Sequence, residues 1–217
     1  MANTVIIGGH GKVALLLAPI LTARGDSVTS VVRNAEHAVD VAATGAGPLL
    51  LDVENASAAE LAAVLRGADA VVFTAGAGGG DQARTYAVDR DAALRAMDAA
   101  QAAGVRRFVL VSYLGAGPDH GVPEDDSFFP YAEAKAAADT ALRATDLDWT
   151  IVMPGRLTLD EPTGRIDPGA TRAADNPGTS RANVAQVVAA VLADDSTIGK
   201  DVPFTDGDVP IAEAITR

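Results

Sequence analysis

The sequence of 217 residues contains no cysteine, so disulfides, thiolate catalysis and cysteine-ligated metal sites are excluded. Aromatic residues are also scarce, at 4% against 48% hydrophobic residues overall. The core must therefore be built from Ala, Val, Leu and Ile. Runs such as Ala136-Ala137-Ala138 suit helices packed closely on a sheet. Basic residues are outnumbered: 17 Lys and Arg face 29 Asp and Glu, a net charge of −12. Nucleic acid and anionic membrane surfaces, which both need a basic face, are thereby disfavoured as main partners. No apolar run reaches the ~18 residues of a membrane span. The start of the chain lacks a charged segment followed by an apolar one, as a secretion signal would require. These absences lead to the expectation of a cytoplasmic protein without a membrane anchor. The three histidines, His10, His37 and His120, show no metal-binding spacing, so no metal is expected. Gly-x-Ser-x-Gly is missing, which argues against a hydrolase built on Ser112 and His120.

What is present is an alternation of strand-like and helix-like runs, the pattern of a parallel sheet with crossover helices. Strands are expected over residues 4–7, 27–32, 48–51, 70–73, 107–111 and 150–153, with a seventh at 202–205. Helices are expected over 11–24, 35–44, 57–66, 83–103, 131–145 and 180–193, with a short one at 211–215. Ser57 and Ser180 suit N-caps, and Gly25 and Gly104 suit helix C-termini. No repeat, heptad or linker interrupts the series. The expected fold is a Rossmann-like, doubly wound α/β sheet in a single domain spanning 1–217. One long irregular stretch, 154–179, is rich in Pro, Gly, Asp and Thr, and is expected to be a substrate-side loop.

The first strand runs into Gly8-Gly9-His10-Gly11-Lys12-Val13-Ala14, a G-x-x-G-x-x-A turn that opens a helix. Free N–H groups and the positive end of the helix dipole make that turn an anion site suited to a pyrophosphate. His10 reads as a solvated loop residue, and Lys12 is within reach of a phosphate. Where a site for NAD usually places an acid after the second strand, this chain has Arg33. A guanidinium can fork onto a 2′-phosphate and stack on adenine, so NADP(H) is favoured over NAD(H). After the third strand, Asp52 and Val53 fall beside the adenine position; Asp52 either accepts from the adenine amino group or caps the next turn. Small residues after the fourth strand, Thr74, Ala75 and Gly76, let a ligand lie against the sheet's carboxyl edge. Residues 78–80 read as a flexible glycine loop.

Tyr131 and Lys135 lie four residues apart, on one helix face. An ammonium beside a phenol lowers its pKa and poises it as an acid or base. Ser112, at the end of the fifth strand, can hydrogen-bond a carbonyl oxygen, with Tyr113 as a competing hydroxyl.

In this order, the glycine turn, Arg33, Asp52, Thr74-Ala75-Gly76, Ser112 and Tyr131-x-x-x-Lys135 resemble a short-chain dehydrogenase/reductase. The phrases Val88-Asp89-Arg90-Asp91, Ala103-Gly104-Val105 through Val111-Ser112, Leu147-Asp148-Trp149 through Pro154-Gly155 and Ser180-Arg181-Ala182-Asn183-Val184-Ala185 resemble its atypical NAD(P)H-binding branch, which includes NmrA-like and sugar-epimerase-like proteins. The resemblance implies Tyr131 as general acid/base, Lys135 as holder of the nicotinamide ribose and Ser112 as the group orienting the substrate oxygen. It implies Asp89 at a position usually held by Asn, and Pro154-Gly155 beside the nicotinamide carboxamide. The stretch from Ser112 to Tyr131 is longer than the common form and carries Glu124-Asp125-Asp126. The function expected is hydride transfer between NADP(H) and a carbonyl or hydroxyl of a small-molecule substrate. The alternatives are a non-catalytic NADP(H) sensor or a nucleotide-sugar epimerase-like enzyme. A homodimer is the assembly to test.

Overall fold

The central strands carry runs of apolar residues, such as Val5-Ile6-Ile7 and Ala70-Val71-Val72-Phe73, and the sheet explains why. In the computed structural model, which describes residues 1–78, 81–171 and 178–216, strand β1 (Asn3–Ile7) lies between β2 (Ser27–Val32) and β4 (Ala70–Phe73). Outside β2 is β3 (Gly47–Leu50). On the other side follow β5 (Arg107–Val111), β6 (Asp148–Pro154) and β10 (Lys200–Asp206). These seven strands are parallel, in the order β3-β2-β1-β4-β5-β6-β10. Alternate side chains enter two separate cores. Ile6, Val72, Val109 and Val152 pack with helices α1 (Lys12–Ala23) and α7 (Arg181–Ala193). Ile7, Phe73, Leu110 and Ile151 pack with α3 (Ala58–Leu65), α5 (Ala93–Ala103) and α6 (Phe129–Arg143). A strand covered on both faces reads as a near-continuous apolar run, with small hydroxyls such as Thr4, Ser30 and Thr150 buried among it. This is the doubly wound Rossmann-like arrangement.

The helix ends follow local chemistry. Ser57 and Glu60 form a reciprocal capping box at α3. Ser180 Oγ accepts from the Ala182 N–H at α7, and Gly104 ends α5 with φ +76°. Two expected helices differ from expectation. The 35–44 segment is a 3₁₀ turn, Ala35–His37, followed by α2 (Ala38–Ala43). The 83–103 helix is α4 (Gln82–Thr85), then a π-helical segment, Tyr86–Ala92, before α5.

The stretch 154–179 is not wholly irregular. It contains β7 (Leu157–Thr158), β8 (Arg165–Asp167) and the first residue of β9 (Thr179–Ser180). Strand β8 runs antiparallel to β10 and to β11 (Val209–Pro210), extending the sheet to nine strands, while β7 and β9 form a separate parallel pair. Residues 172–177 of this stretch, and Gly79 and Gly80 of the glycine loop, lie outside the described residues. The chain closes with α8 (Ile211–Ala214). Among the described residues, no helix is long and apolar enough to cross a membrane, and no group of His, Asp and Glu could hold a metal ion.

Candidate cofactor and active site

After β1 the chain turns to β2 on one side, and β4 lies on the other. Such a switch point opens a crevice at the strands' carboxyl ends. The glycine turn fills it. Gly8 has φ +88°, and a Cβ there would lie 2.6 Å from the Ala75 backbone. Gly9 is pressed against β2, where a Cβ would come within 2.5 Å of Ser30 Cβ. Its N–H donates to the Val31 carbonyl, so Gly9 supports the turn from behind and does not line the groove. Gly11 is the N-cap of α1 and offers no side chain to the first-turn N–H groups. Those groups remain for a ligand.

Two joined cavities run along the crevice. The first, of about 590 Å³, is lined by Gly8, His10, Gly11, Lys12, Val13, Arg33, Asp52, Val53, Thr74, Ala75 and Gly76 among others. The second, of about 830 Å³, is lined by Asp89, Ser112, Tyr131 and Lys135, and shares Val13, Thr74, Ala75, Gly76, Gly78 and Leu157 with the first. Both fall within the usual size range of small-molecule sites, about 300–1,000 Å³. The two cavities share Val13 beside the start of α1, so one continuous groove passes the free N–H groups of that helix.

At the first end, His10 stacks on His37 with ring centroids 3.6 Å apart and bonds Asp40 through Nε2 at 2.8 Å. It is therefore a held ring rather than a free loop side chain. Asp52 caps its own turn: one carboxylate oxygen accepts from the Glu54 N–H, the other from Asn55 Nδ2 at 2.8 Å. Arg33 donates to Glu54.

At the second end, a column of polar residues on α6 meets the sheet edge. Tyr131, Lys135 and Asp139 follow at four-residue intervals on one face. Lys135 is 1% exposed, and its Nζ donates to the Val111 carbonyl at 2.7 Å. Ser112 Oγ donates to Asp139 Oδ2 at 2.7 Å, leaving Asp139 Oδ1 buried without a partner among the described residues. From the π-helical segment, buried Asp89 accepts the Ala77 N–H at 2.9 Å and so fixes the loop after β4. Gly76 makes room for that carboxylate, since a Cβ there would meet Asp89 Oδ1 at 3.1 Å. Burial pushes the Asp89 and Asp139 carboxyls upward, and the Lys135 charge opposes that shift in both.

The phenol of Tyr131 is held above its ordinary value, by burial first and then by the Asp89 carboxylate. This reverses the depression expected from the Tyr131/Lys135 spacing. The ammonium is drawn to the Val111 carbonyl, while Tyr131 lies in an aromatic cluster 5.2 Å from Phe128 and 5.6 Å from Tyr113 between ring centroids. With protein groups alone, Tyr131 is a neutral phenol at physiological pH. Only Tyr131 of the two tyrosines lines the cavity. Pro154 ends β6, and the Gly155 N–H donates to the Phe204 carbonyl and to Thr179 Oγ1, so this pair stands at the sheet edge without lining either cavity. Glu54, Arg84 and Asp139 are site residues that the sequence reading passed over. Asp139 alone carried a signal, the next four-residue step after Tyr131 and Lys135.

Fold and groove together define a nucleotide-binding Rossmann protein. The chain belongs to the NAD(P)H-binding family, which it matches over residues 8–195. It is 36% identical over 214 residues to YhfK of Bacillus subtilis, named an uncharacterized sugar epimerase, covering 98% of both chains. A Bacillus halodurans structure named for the NAD-dependent epimerase/dehydratase group superposes with a TM-score of 0.89 at 30% identity, covering 99% of both chains. The Lactococcus lactis oxidoreductase ylbE superposes at 0.83 with 28% identity, over 98% of this chain and 94% of that one.

Proposed function

We propose that the protein is an NADP(H)-dependent oxidoreductase acting on a carbonyl or hydroxyl of a small substrate, with 1–217 as one domain and 154–179 on the substrate side. The carrying observation is Tyr131, a neutral phenol lining the cavity that adjoins the glycine turn. When bound, NADP(H) supplies or accepts the hydride. Tyr131 gives its proton to the substrate oxygen as negative charge develops there, and regains one from solvent. Lys135, bonded to the Val111 carbonyl in the same cavity, holds the nicotinamide ribose. Asp89 keeps the 74–78 loop in place beneath the ligand. Arg33 is the group that favours a 2′-phosphate over a free hydroxyl. Pro154 and Gly155 flank the nicotinamide end.

The cavity also bears on substrate choice. Asp81, Asp89, Glu124, Asp125 and Asp126 line it, and Lys135 is its one cation among the described residues. A nucleotide diphosphate sugar would meet repulsion there, which weighs against an epimerase of that class. A second reading, an NADP(H) sensor without turnover, draws on the Ser112–Asp139 bond, because a hydroxyl that donates to Asp139 has no proton left for a substrate oxygen.

The test is NADPH oxidation with a panel of neutral aldehydes, ketones and quinones, for wild type and Tyr131→Phe. Turnover by wild type and a loss of about 10²-fold or more in Tyr131→Phe is expected, with NADPH affinity unchanged. An equally active Phe variant refutes Tyr131 as the acid. No turnover with any carbonyl favours the sensor.

A further inference from the structure

Three separate loops meet at one atom. Arg33 follows β2, Glu54 follows β3 and Arg84 stands in α4. Arg33 Nη1 lies 3.3 Å from Glu54 Oε2, and Arg84 Nε lies 3.1 Å from the same oxygen. All three side chains line the 590 Å³ cavity at its Arg33 end. The point held by Glu54 Oε2 is therefore an anion position built by two guanidinium groups. Arg84 is fixed there independently, since its Nη1 also donates to the Ala77 carbonyl at 2.5 Å.

The backbone beneath Glu54 is fixed as well. Arg95 donates to the carbonyls of Val53, Glu54 and Ala56, and Asp52 accepts the Glu54 N–H. Glu54 can thus vacate the position by side-chain rotation alone, with no change in the loop. A phosphate oxygen is a stronger partner for paired guanidinium groups than a single carboxylate oxygen at these distances, because it brings more charge and more acceptors.

We infer that this is the 2′-phosphate site of NADP(H), that Arg84 is its second guanidinium, and that Glu54 competes with the phosphate for both arginines. The inference rests on the NADP(H) reading above. Arg33 alone accounts for a preference; Arg84 and Glu54 set its size. Glu54 is a specificity-determining residue because its charge opposes the phosphorylated nucleotide and does not oppose the unphosphorylated one.

Calorimetric titration of the full chain with NADPH and with NADH, at fixed ionic strength, tests this. Glu54→Gln keeps the length and an acceptor oxygen but removes the charge. It should tighten NADPH by about 3- to 10-fold and leave NADH within about twofold. Arg84→Met should weaken NADPH by about 10-fold or more, again sparing NADH. NADH affinity serves as the folding control for both variants. Weaker NADPH binding in Glu54→Gln, or equal effects of Arg84→Met on both nucleotides, overturns the inference while the NADP(H) reading stands. A wild-type protein that binds NADH as tightly as NADPH overturns the reading, and the inference with it.

Discussion

Lys135→Met isolates the charge cluster beneath Tyr131. Lys135, Asp89 and Asp139 are 1%, 2% and 0% exposed, so one ammonium and two carboxyls are removed from water together. Removing one partner from a buried charge pair costs about 3–5 kcal/mol. The lower figure applies, because Lys135 is hydrogen-bonded to the Val111 carbonyl and acts on the carboxylates through space. About 3 kcal/mol in a chain of this length corresponds to a fall in Tm of about 6–12 °C. The loss must depend on pH. Burial raises both carboxyls above the ordinary aspartate value of 3.8. Above that value the folded state holds protons that the unfolded chain has released, so stability falls as pH rises towards the folded values. Without Lys135 those folded values climb further, and the window of falling stability widens upward. The deficit of Lys135→Met should therefore be largest near about pH 8 and much smaller near about pH 5. Differential scanning calorimetry at the two pH values checks this. A deficit of the same size at both would mean that Lys135 contributes packing alone, and would refute the electrostatic account.

Asp139→Asn should act in the opposite direction, because it removes the second of two buried carboxyls while keeping an acceptor for Ser112 Oγ. A rise in Tm of about 2–4 °C near about pH 8, vanishing near about pH 5, is expected in thermal melts. Gly8→Ala combines a φ of +88° with a clash at 2.6 Å and should cost about 3 kcal/mol or more in urea unfolding. Gly67→Ala, at φ +80° with nothing within 4 Å, is its control and should cost only about 1 kcal/mol. Arg33→Asp should weaken NADPH by about 10-fold or more in calorimetric titration and remove any preference over NADH; a variant that keeps the wild-type preference assigns the discrimination elsewhere.

The parallel strands were readable because burial on both faces leaves consecutive apolar residues. The expected 4–7, 70–73 and 107–111 match β1, β4 and β5 to within a residue at each end. Strands β7, β8 and β9 left no such run: at two or three residues each, they are shorter than the roughly four residues over which alternation can be read. Composition reads 83–103 as one α-helix. The π-helical segment within it carries Asp89, whose carboxylate holds the Ala77 N–H, a contact between distant loops with no local signature. The meeting of Arg33, Glu54 and Arg84 is of the same kind. Each is an ordinary surface charge in the sequence, and only the order β3-β2-β1-β4 brings their loops together.

Tyr131 shows where spacing stops being informative. Four residues on a helix put Lys135 beside it, but they do not set the direction of the ammonium. That direction comes from β5, whose last residue, Val111, offers a carbonyl at 2.7 Å. The same strand end supplies Ser112, which donates to Asp139 one turn beyond Lys135. Two contacts between a sheet edge and a helix face thus take up the lysine and the serine, and the phenol keeps its proton. For reduction of a carbonyl this is the useful state, since a neutral phenol can donate at once. Oxidation of an alcohol would first require the phenol to lose that proton, against burial and the nearby Asp89 carboxylate. On the proposed function, these protein groups suit reduction at neutral pH. In the oxidative direction the rate should climb steadily with pH through the alkaline range, while the reductive rate stays flat. Wild-type pH profiles retained in Tyr131→Phe, or a reductive rate that falls across the neutral range, would show that Tyr131 does not carry the proton.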